Sequence, residues 1–408
     1  MRILLVHQNF PGQFLHLAPA LRDRGHEVLA LTAFGNKRPS PVPVNFYRFD
    51  PPPLDPGACR LGRSYTEMTD RATAVARAAL VLRDRHGYEP DVIFGHCGWG
   101  ETLFLREVWP RARLLVYAEF YHGTEGRDTF FDPEFSPRSF AGALGVVART
   151  AAYAQALAQA DAALSPTHWQ ASTFPESFRP KISVIHDGVD TVALRPDPAA
   201  RYRLPDLGAQ LHAGQEILTY VARNLEPYRG FPQFMRALPA VLQARPDAQV
   251  LIVGGNDTSY GRPPEAGGSW KDVMLHEVGG KLDLHRVHFL GRVPYQAYVR
   301  ILQISRVHCY LTVPFVLSWS LIEAMSMGAM IVASDTAPVR EVIHDGKTGR
   351  LVDFFDTGGL SAALIRELSD PGGQEPLRAA ARDLAVRDYD FRSACLPRLI
   401  DFVEIAGR

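Results

Sequence analysis

Residues 1–31 read MRILLVHQNFPGQFLHLAPALRDRGHEVLAL. Arg2 to Val6 is a short apolar run bounded by polar residues, which reads as a buried strand. Pro11-Gly12 makes a loop. Phe14, Leu17 and Leu21 then recur at helical spacing, and Arg24-Gly25 closes the helix with glycine as its C-cap. Glu27 to Leu31 is a second strand. A β-α-β unit with apolar strands implies a parallel sheet covered on both faces.

The pattern continues outward from this unit. Further strands are expected at Asp91 to Phe94, Arg113 to Tyr117, Ala162 to Leu164 and Ile182 to Ile185. Helices are expected at Tyr65 to Arg83 and Ala141 to Ala160. A proline-rich stretch from Arg195 to Gly208 interrupts the alternation. It resumes with strands at Glu216 to Val221, Gln249 to Val253, Val287 to Leu290, Val307 to Tyr310 and Met330 to Ala333. The sequence therefore predicts two α/β domains, 1–195 and 196–385, with a binding cleft expected between them. A last helix over 390–406 is expected to pack back on the first. Pro39 to Pro56 reads as a loop, and Asn256 to Gly268 as a surface insertion after the strand LIVGG.

Composition narrows the function classes. The chain has 408 residues, long enough for two domains. Lys plus Arg and Asp plus Glu are 44 each, so the basic excess of a nucleic-acid binder is missing. Four scattered cysteines without a CxxC predict neither a disulfide scaffold nor a zinc site, and a reducing cytosol is expected. The first apolar run is too short for a secretory leader. Leu311 to Ser334 carries one charge, Glu323, but Pro314, Gly328 and several serines break it, so no transmembrane segment is expected.

Four segments carry candidate chemistry. The loop His7-Gln-Asn-Phe-Pro-Gly12-Gln follows the first strand, where ligands bind in parallel α/β sheets. It is either a plain turn or a place where Gly12 lets the backbone approach a ligand before a helix N-terminus that favours an anion. It is not GxGxxG, which disfavours a dehydrogenase. Glu119-Phe-Tyr-His122-Gly123 follows another strand, and His122 there fits either a structural or a functional role. Arg223-Asn-Leu-Glu-Pro-Tyr-Arg229-Gly230 opens a helix in the second half. Its guanidiniums are either surface charges or a bidentate anion clamp. In Pro314-Phe-Val-Leu-Ser318-Trp-Ser320-Leu321-Ile-Glu323, a serine caps a helix whose free amides would bind an anion. Glu323 in that apolar setting needs donors, either a local arginine or a ribose diol.

Together these segments resemble the retaining glycosyltransferases of the GT-B fold, family four (glycosyltransferase group 1). The resemblance spans most of the chain. It includes RGHEV after the first helix, VIHDGVD at Val184–Asp190, and LIEAMSMG followed by ASDTAPVREVI. It implies two Rossmann-like domains facing each other across a cleft. It also implies a metal-independent, retaining hexosyltransferase with no cofactor beyond a nucleotide-diphosphate-sugar donor. Arg223, Arg229 and His122 would be catalytic. Gly12, Arg223, Arg229, Phe315, Ser318, Ser320, Leu321 and Glu323 would bind the donor. The acceptor is left open among glycan, small molecule, lipid and protein, and oligomeric state is not given. A cytoplasmic location follows, with peripheral attachment at the inner face of a membrane compatible with it. Three positions depart from the family pattern. Arg229 stands for the usual Lys, and Asp187 for the Asn that often precedes Gly-Val-Asp. Phe315 replaces the first of two paired glutamates, the one that holds the donor sugar. A sugar-nucleotide 2-epimerase of the same fold and a non-catalytic nucleotide-sugar-binding protein are the rival readings.

Overall fold

A computed structural model describes residues 1–51, 59–205 and 208–408. Two compact units emerge. The first comprises Met1–Thr129, Arg138–Gly188 and Phe391–Arg408; the second comprises Phe130–Pro137 and Val189–Asp390. The expected boundary near 195 thus falls at Gly188/Val189, and eight residues of a loop ahead of it, Phe130–Pro137, group with the second unit.

The first unit holds a seven-stranded parallel sheet ordered β3-β2-β1-β4-β5-β6-β7. The strands are β1 (Arg2–Val6), β2 (Glu27–Ala33), β3 (Val44–Tyr47), β4 (Val92–His96), β5 (Arg113–Tyr117), β6 (Ala162–Ser165) and β7 (Ile182–Val184). Strand β3 lies inside the stretch read as a loop; residues 52–56 of that stretch lie outside the described residues. The helices are α1 (Leu17–Asp23), α2 (Arg63–His86), α3 (Leu105–Val108), α4 (Phe140–Arg149), α5 (Ala151–Gln159) and α6 (His168–Ser172). The single helix expected over 141–160 is two, broken at Thr150. Alternation along β1 fills two cores. Leu4 and Val6 join one cluster with Val75 and Trp109; Ile3 and Leu5 join the other with Phe14, Leu17 and Leu21.

The second unit begins with an antiparallel pair, β8 (Arg201–Arg203) inside the proline-rich stretch and β9 (Gln210–His212) just beyond it; Asp206 and Leu207 of that stretch lie outside the described residues. Its six-stranded parallel sheet runs β12-β11-β10-β13-β14-β15. The strands are β10 (Ile217–Asn224), β11 (Gln249–Gly255), β12 (Val287–Gly291), β13 (Val307–Tyr310), β14 (Met330–Ser334) and β15 (Arg350–Val352). The helices are α7 (Phe231–Ala244), α8 (Trp270–Val278), α9 (Tyr295–Gln303), α10 (Trp319–Ser326), α11 (Ala337–Arg340), α12 (Thr357–Ser369) and α13 (Glu375–Tyr389). The chain returns to the first unit through a π-turn, Phe391–Cys395, and α14 (Leu396–Ala406), whose Leu399, Ile400, Phe402 and Val403 complete the core beside Ile3 and Leu5. Among the described residues no helix is long and apolar enough to cross a membrane.

Candidate active site

In an open parallel sheet, ligands bind beyond the carboxyl ends of strands where the strand order reverses. In the first unit that point lies between β1 and β4. His7 follows β1, and His96 ends β4. Each Nδ1 accepts a backbone N–H two residues on, from Asn9 at 3.0 Å and Gly98 at 2.9 Å. His7 Nε2 therefore carries the proton and donates to Gln13 Oε1 at 2.7 Å. Burial, reinforced by the nearby His96, lowers the His7 pKa to about 4. The Trp99 ring stacks on His96 and meets His7 edge-on. Glu119, two residues beyond β5, accepts from the Gln13 amide at 3.4 Å and lies 3.5 Å from His96 Nε2.

Gly12 has φ +46°, and a Cβ there would sit 2.4 Å from His7 Nε2. Glycine is thus required by the packing of the His7 ring. The residues behind it form a 3-10 turn, Gly12–Phe14, and α1 begins only at Leu17, so the helix N-terminus expected there is displaced. His122 Nδ1 lies 3.0 Å from Oδ2 of buried Asp128, and Arg127 donates to the carbonyls of Tyr121 and His122. The sequence reading placed His7, Gln13 and Glu119 in candidate segments without giving them a role, and missed His96. The position of both histidines at apolar strand ends was the available signal.

In the second unit the order reverses between β10 and β13. The end of β10 and the loop after it carry Arg223 to Arg229, and the loop after β13 carries Leu311 to Ser318, so the topology brings two of the four candidate segments together. Arg229 is 8% exposed. Its Nη1 donates to Thr312 Oγ1 at 2.9 Å and to the Val316 carbonyl at 3.0 Å, and approaches the Tyr310 hydroxyl at 3.4 Å. Arg223 is exposed. The Phe315 ring is buried against Tyr228 and Tyr260, with centroids 5.5 and 4.9 Å away. The Arg229 guanidinium lies 5.6 Å from the centroids of both Phe315 and Tyr260, and Arg223 lies 5.9 Å from Tyr260.

Tyr260 belongs to the segment read as a surface insertion; most of that segment is exposed, and one part of it is anchored. The fully buried carboxylate of Glu226 accepts the backbone N–H groups of Ser259, Tyr260 and Gly261 at 3.1–3.3 Å. Asn224 adds a 2.6 Å bond to Ser259 Oγ. The insertion is therefore fastened to the arginine loop.

Ser318 caps α10 by accepting from the Ser320 N–H, and its own N–H donates to the Tyr310 hydroxyl at 2.8 Å. Ser320 Oγ lies 2.9 Å from Ser318 Oγ. The side chain of Leu321 is fully buried in the core, and its N–H bonds to the Ser318 carbonyl. Glu323 accepts from the Tyr295 hydroxyl at 3.1 Å and from the Tyr298 hydroxyl. Its partners among the described residues are thus tyrosines, not the local arginine that was the alternative to a ribose. Burial raises its pKa, and the two hydroxyl bonds oppose that shift. Among the described residues no group of three or more His, Cys, Asp or Glu is placed to hold a metal ion.

Two family models match along the chain: "Glycosyl transferase family 4 group" over residues 24–194 and "Glycosyl transferases group 1" over residues 208–384. The two halves of the chain belong to these glycosyl transferase families. A phosphatidyl-myo-inositol mannosyltransferase of Mycolicibacterium smegmatis is 31% identical over 228 residues, covering 55% of this chain and 52% of that protein. A GDP-mannose-dependent alpha-(1-6)-phosphatidylinositol monomannoside mannosyltransferase of the same organism is 25% identical, covering 57% of this chain and 60% of that protein. The chain thus spans between half and two thirds of the length of these relatives. Among solved structures, a sucrose-phosphate synthase from Thermosynechococcus elongatus superimposes over 99% of both chains with a TM-score of 0.72 at 18% identity. That likeness shows the fold, two Rossmann-like halves of the GT-B type.

Proposed function

We propose that the chain is a retaining glycosyltransferase that moves a sugar from a nucleotide-diphosphate donor to an acceptor without a metal ion or further cofactor. The observation that carries this reading is the convergence of Arg223, Arg229 and the Ser318-capped end of α10 at the switch point of the second sheet. Negative charge grows on the departing diphosphate as the glycosidic bond breaks. Fixed cations and a helix N-terminus stabilise that charge without a metal. Arg223 and Arg229 take this role, and Ser318 and Ser320 shape the helix end. Glu323 holds the ribose; two of its lone-pair positions face tyrosines, and a carboxylate has about four. Phe315 lines the sugar side, where a ring cannot accept a hydroxyl's hydrogen bond.

On the first unit, Gly12 and His122 serve the donor sugar, with Asp128 orienting the His122 ring. Retention follows from same-face attack, with the leaving phosphate taking the acceptor's proton. The named relatives act with phosphatidylinositol-type acceptors and, in one case, GDP-mannose. An acceptor at a membrane surface, reached by a peripherally bound cytoplasmic enzyme, is consistent with them. A thermal-shift screen of GDP, UDP and their sugars, followed by turnover assays with the stabilising donor, tests the reading. A ligand at a hundredfold excess over Kd should add about 2.7 kcal/mol. Binding without turnover across a broad acceptor panel, or epimerisation of donor alone, would replace it with one of the rival readings. Loss of turnover in EDTA, restored by magnesium, would refute the metal-free part.

A further inference from the structure

Helix α4 breaks the usual rule for its composition. FAGALGVVAR has no charged residue before Arg149. A helix apolar on every side is normally buried. Yet only Val146 of α4 is buried, while Phe140 is 80% exposed, Leu144 41% and Val147 66%. These three lie at i, i+4 and i+7, on one face of the helix. Helix α4 packs against α2 and against the 3-10 turn Arg60–Gly62. On those elements Leu61 and Tyr65 are exposed as well. Contiguous exposed apolar surface of this kind marks an interaction site.

The charges around it favour one occupant. Arg60 and Arg63 stand on the elements packed against α4, and Arg138 precedes it. Two acids nearby are already paired, Glu125 with Arg138 at 3.1 Å and Glu67 with Arg71 at 3.0 Å, so Arg60 and Arg63 carry the basic excess. A second copy of this chain meeting the patch symmetrically would set these arginines against their own kind. An anionic lipid surface complements both features. It takes apolar side chains into the acyl boundary while its headgroups face the arginines.

We infer that the α4 face, Phe140, Leu144 and Val147 with Leu61 and Tyr65, docks the protein on an anionic bilayer. This rests on the reading of a membrane-surface acceptor and assigns the surface that reaches it. The test is flotation of the full chain with phosphatidylcholine vesicles, with and without phosphatidylglycerol. Wild type should float with the anionic vesicles and lose binding at high salt. Phe140→Ser with Val147→Ser should weaken binding at least about tenfold, because two inserted side chains are removed. Arg60→Ala with Arg63→Ala should weaken it and reduce the salt dependence. Phe140, Val147 and Arg60 are exposed, so an unchanged Tm and an unchanged thermal shift with the stabilising nucleotide should accompany the loss in the serine variant and in Arg60→Ala alone. Wild type that stays unbound, or serine variants that float like wild type, overturns the inference while leaving nucleotide binding as a separate measurement. A concentration-dependent dimer abolished by Phe140→Ser also overturns it, assigning the face to a second copy.

Discussion

The two arginines of the second unit differ in what their loss should do. Arg223 is exposed, so Arg223→Ala removes a charge with little effect on the fold. Arg229 is buried and bonded to Thr312 and the Val316 carbonyl, so Arg229→Ala also strands two acceptors. If both face the leaving diphosphate, kcat/KM should fall about a hundredfold or more in each Ala variant, with Tm falling mainly for Arg229. Arg229→Lys should keep more activity than Arg229→Ala, because the family pattern has lysine there. Arg223→Lys should do worse relative to its wild type, since a point charge cannot make a bidentate contact. Both Ala variants within about threefold of wild type would mean that no clamp exists. Phe315 offers a second probe. Phe315→Glu would place a carboxylate between Tyr228 and Tyr260, within reach of Arg229. Relative rates across donor sugars should change more than nucleotide affinity does. Unchanged sugar preference, measured on a variant with normal Tm, would remove position 315 from the sugar site.

At the scale of elements, Glu226 ties two loops that are far apart in sequence. Its carboxylate gathers three N–H groups from residues 33 to 35 positions later. Glu226→Gln removes the charge and keeps the size. It should speed amide exchange at Ser259–Gly261, lower stability by about 1–3 kcal/mol, and reduce kcat more than it raises the donor KM, because Tyr260 would no longer hold the Arg229 plane. Unchanged exchange at these amides would show that the tie carries no weight. The same contact explains what the sequence could not disclose. The strands β1 and β5 were legible because each is a nearly continuous apolar run buried on both faces. Strand β3 was not, because it is a four-residue edge strand, mostly accessible, set among prolines. The break at Thr150 was hidden because the apolar pattern continues across it. Arg229 was visible from its neighbours in sequence. Tyr260 and Glu226 were not, since their partnership is a matter of tertiary contact alone.

For the molecule as a whole, three buried histidines set the response to acid. His7 is held down to about 4, His186 to about 4 and His308 to about 3, in each case chiefly by burial. Two of them also accept a backbone N–H at Nδ1, from Asn9 and from Gly188, a bond that protonation at that nitrogen would destroy. His308 lies wholly buried on β13 with Thr219 Oγ1 2.9 Å from its Nδ1. All three stay neutral in the folded chain while the unfolded chain takes up protons near the ordinary histidine value of 6.5. The unfolded state then binds more protons, so stability is full above about pH 6.5 and is lost as pH falls toward 4. Each histidine contributes on the order of 1 kcal/mol per pH unit within that window. Glu101 acts in the opposite sense. Burial raises its pKa to about 7, so its contribution is present below the ordinary carboxylate value and fades as pH rises through 7. Glu323 and Asp132, also raised by burial, act with Glu101, and His288, also lowered by burial, acts with the histidines; four histidines against three acids leave a net loss on acidification, beginning well above the pH at which ordinary carboxylates titrate. Urea unfolding between pH 4.5 and 7.5 should show stability rising with pH, steepest between about 5 and 6. His308→Asn preserves a hydrogen-bonding group near Thr219 and removes one titrating site. It should lower stability at pH 7 and reduce the acid-side slope by roughly one proton's worth. A stability profile flat from pH 5 to 7, or a slope unchanged in His308→Asn, would mean that these histidines do not govern the acid response.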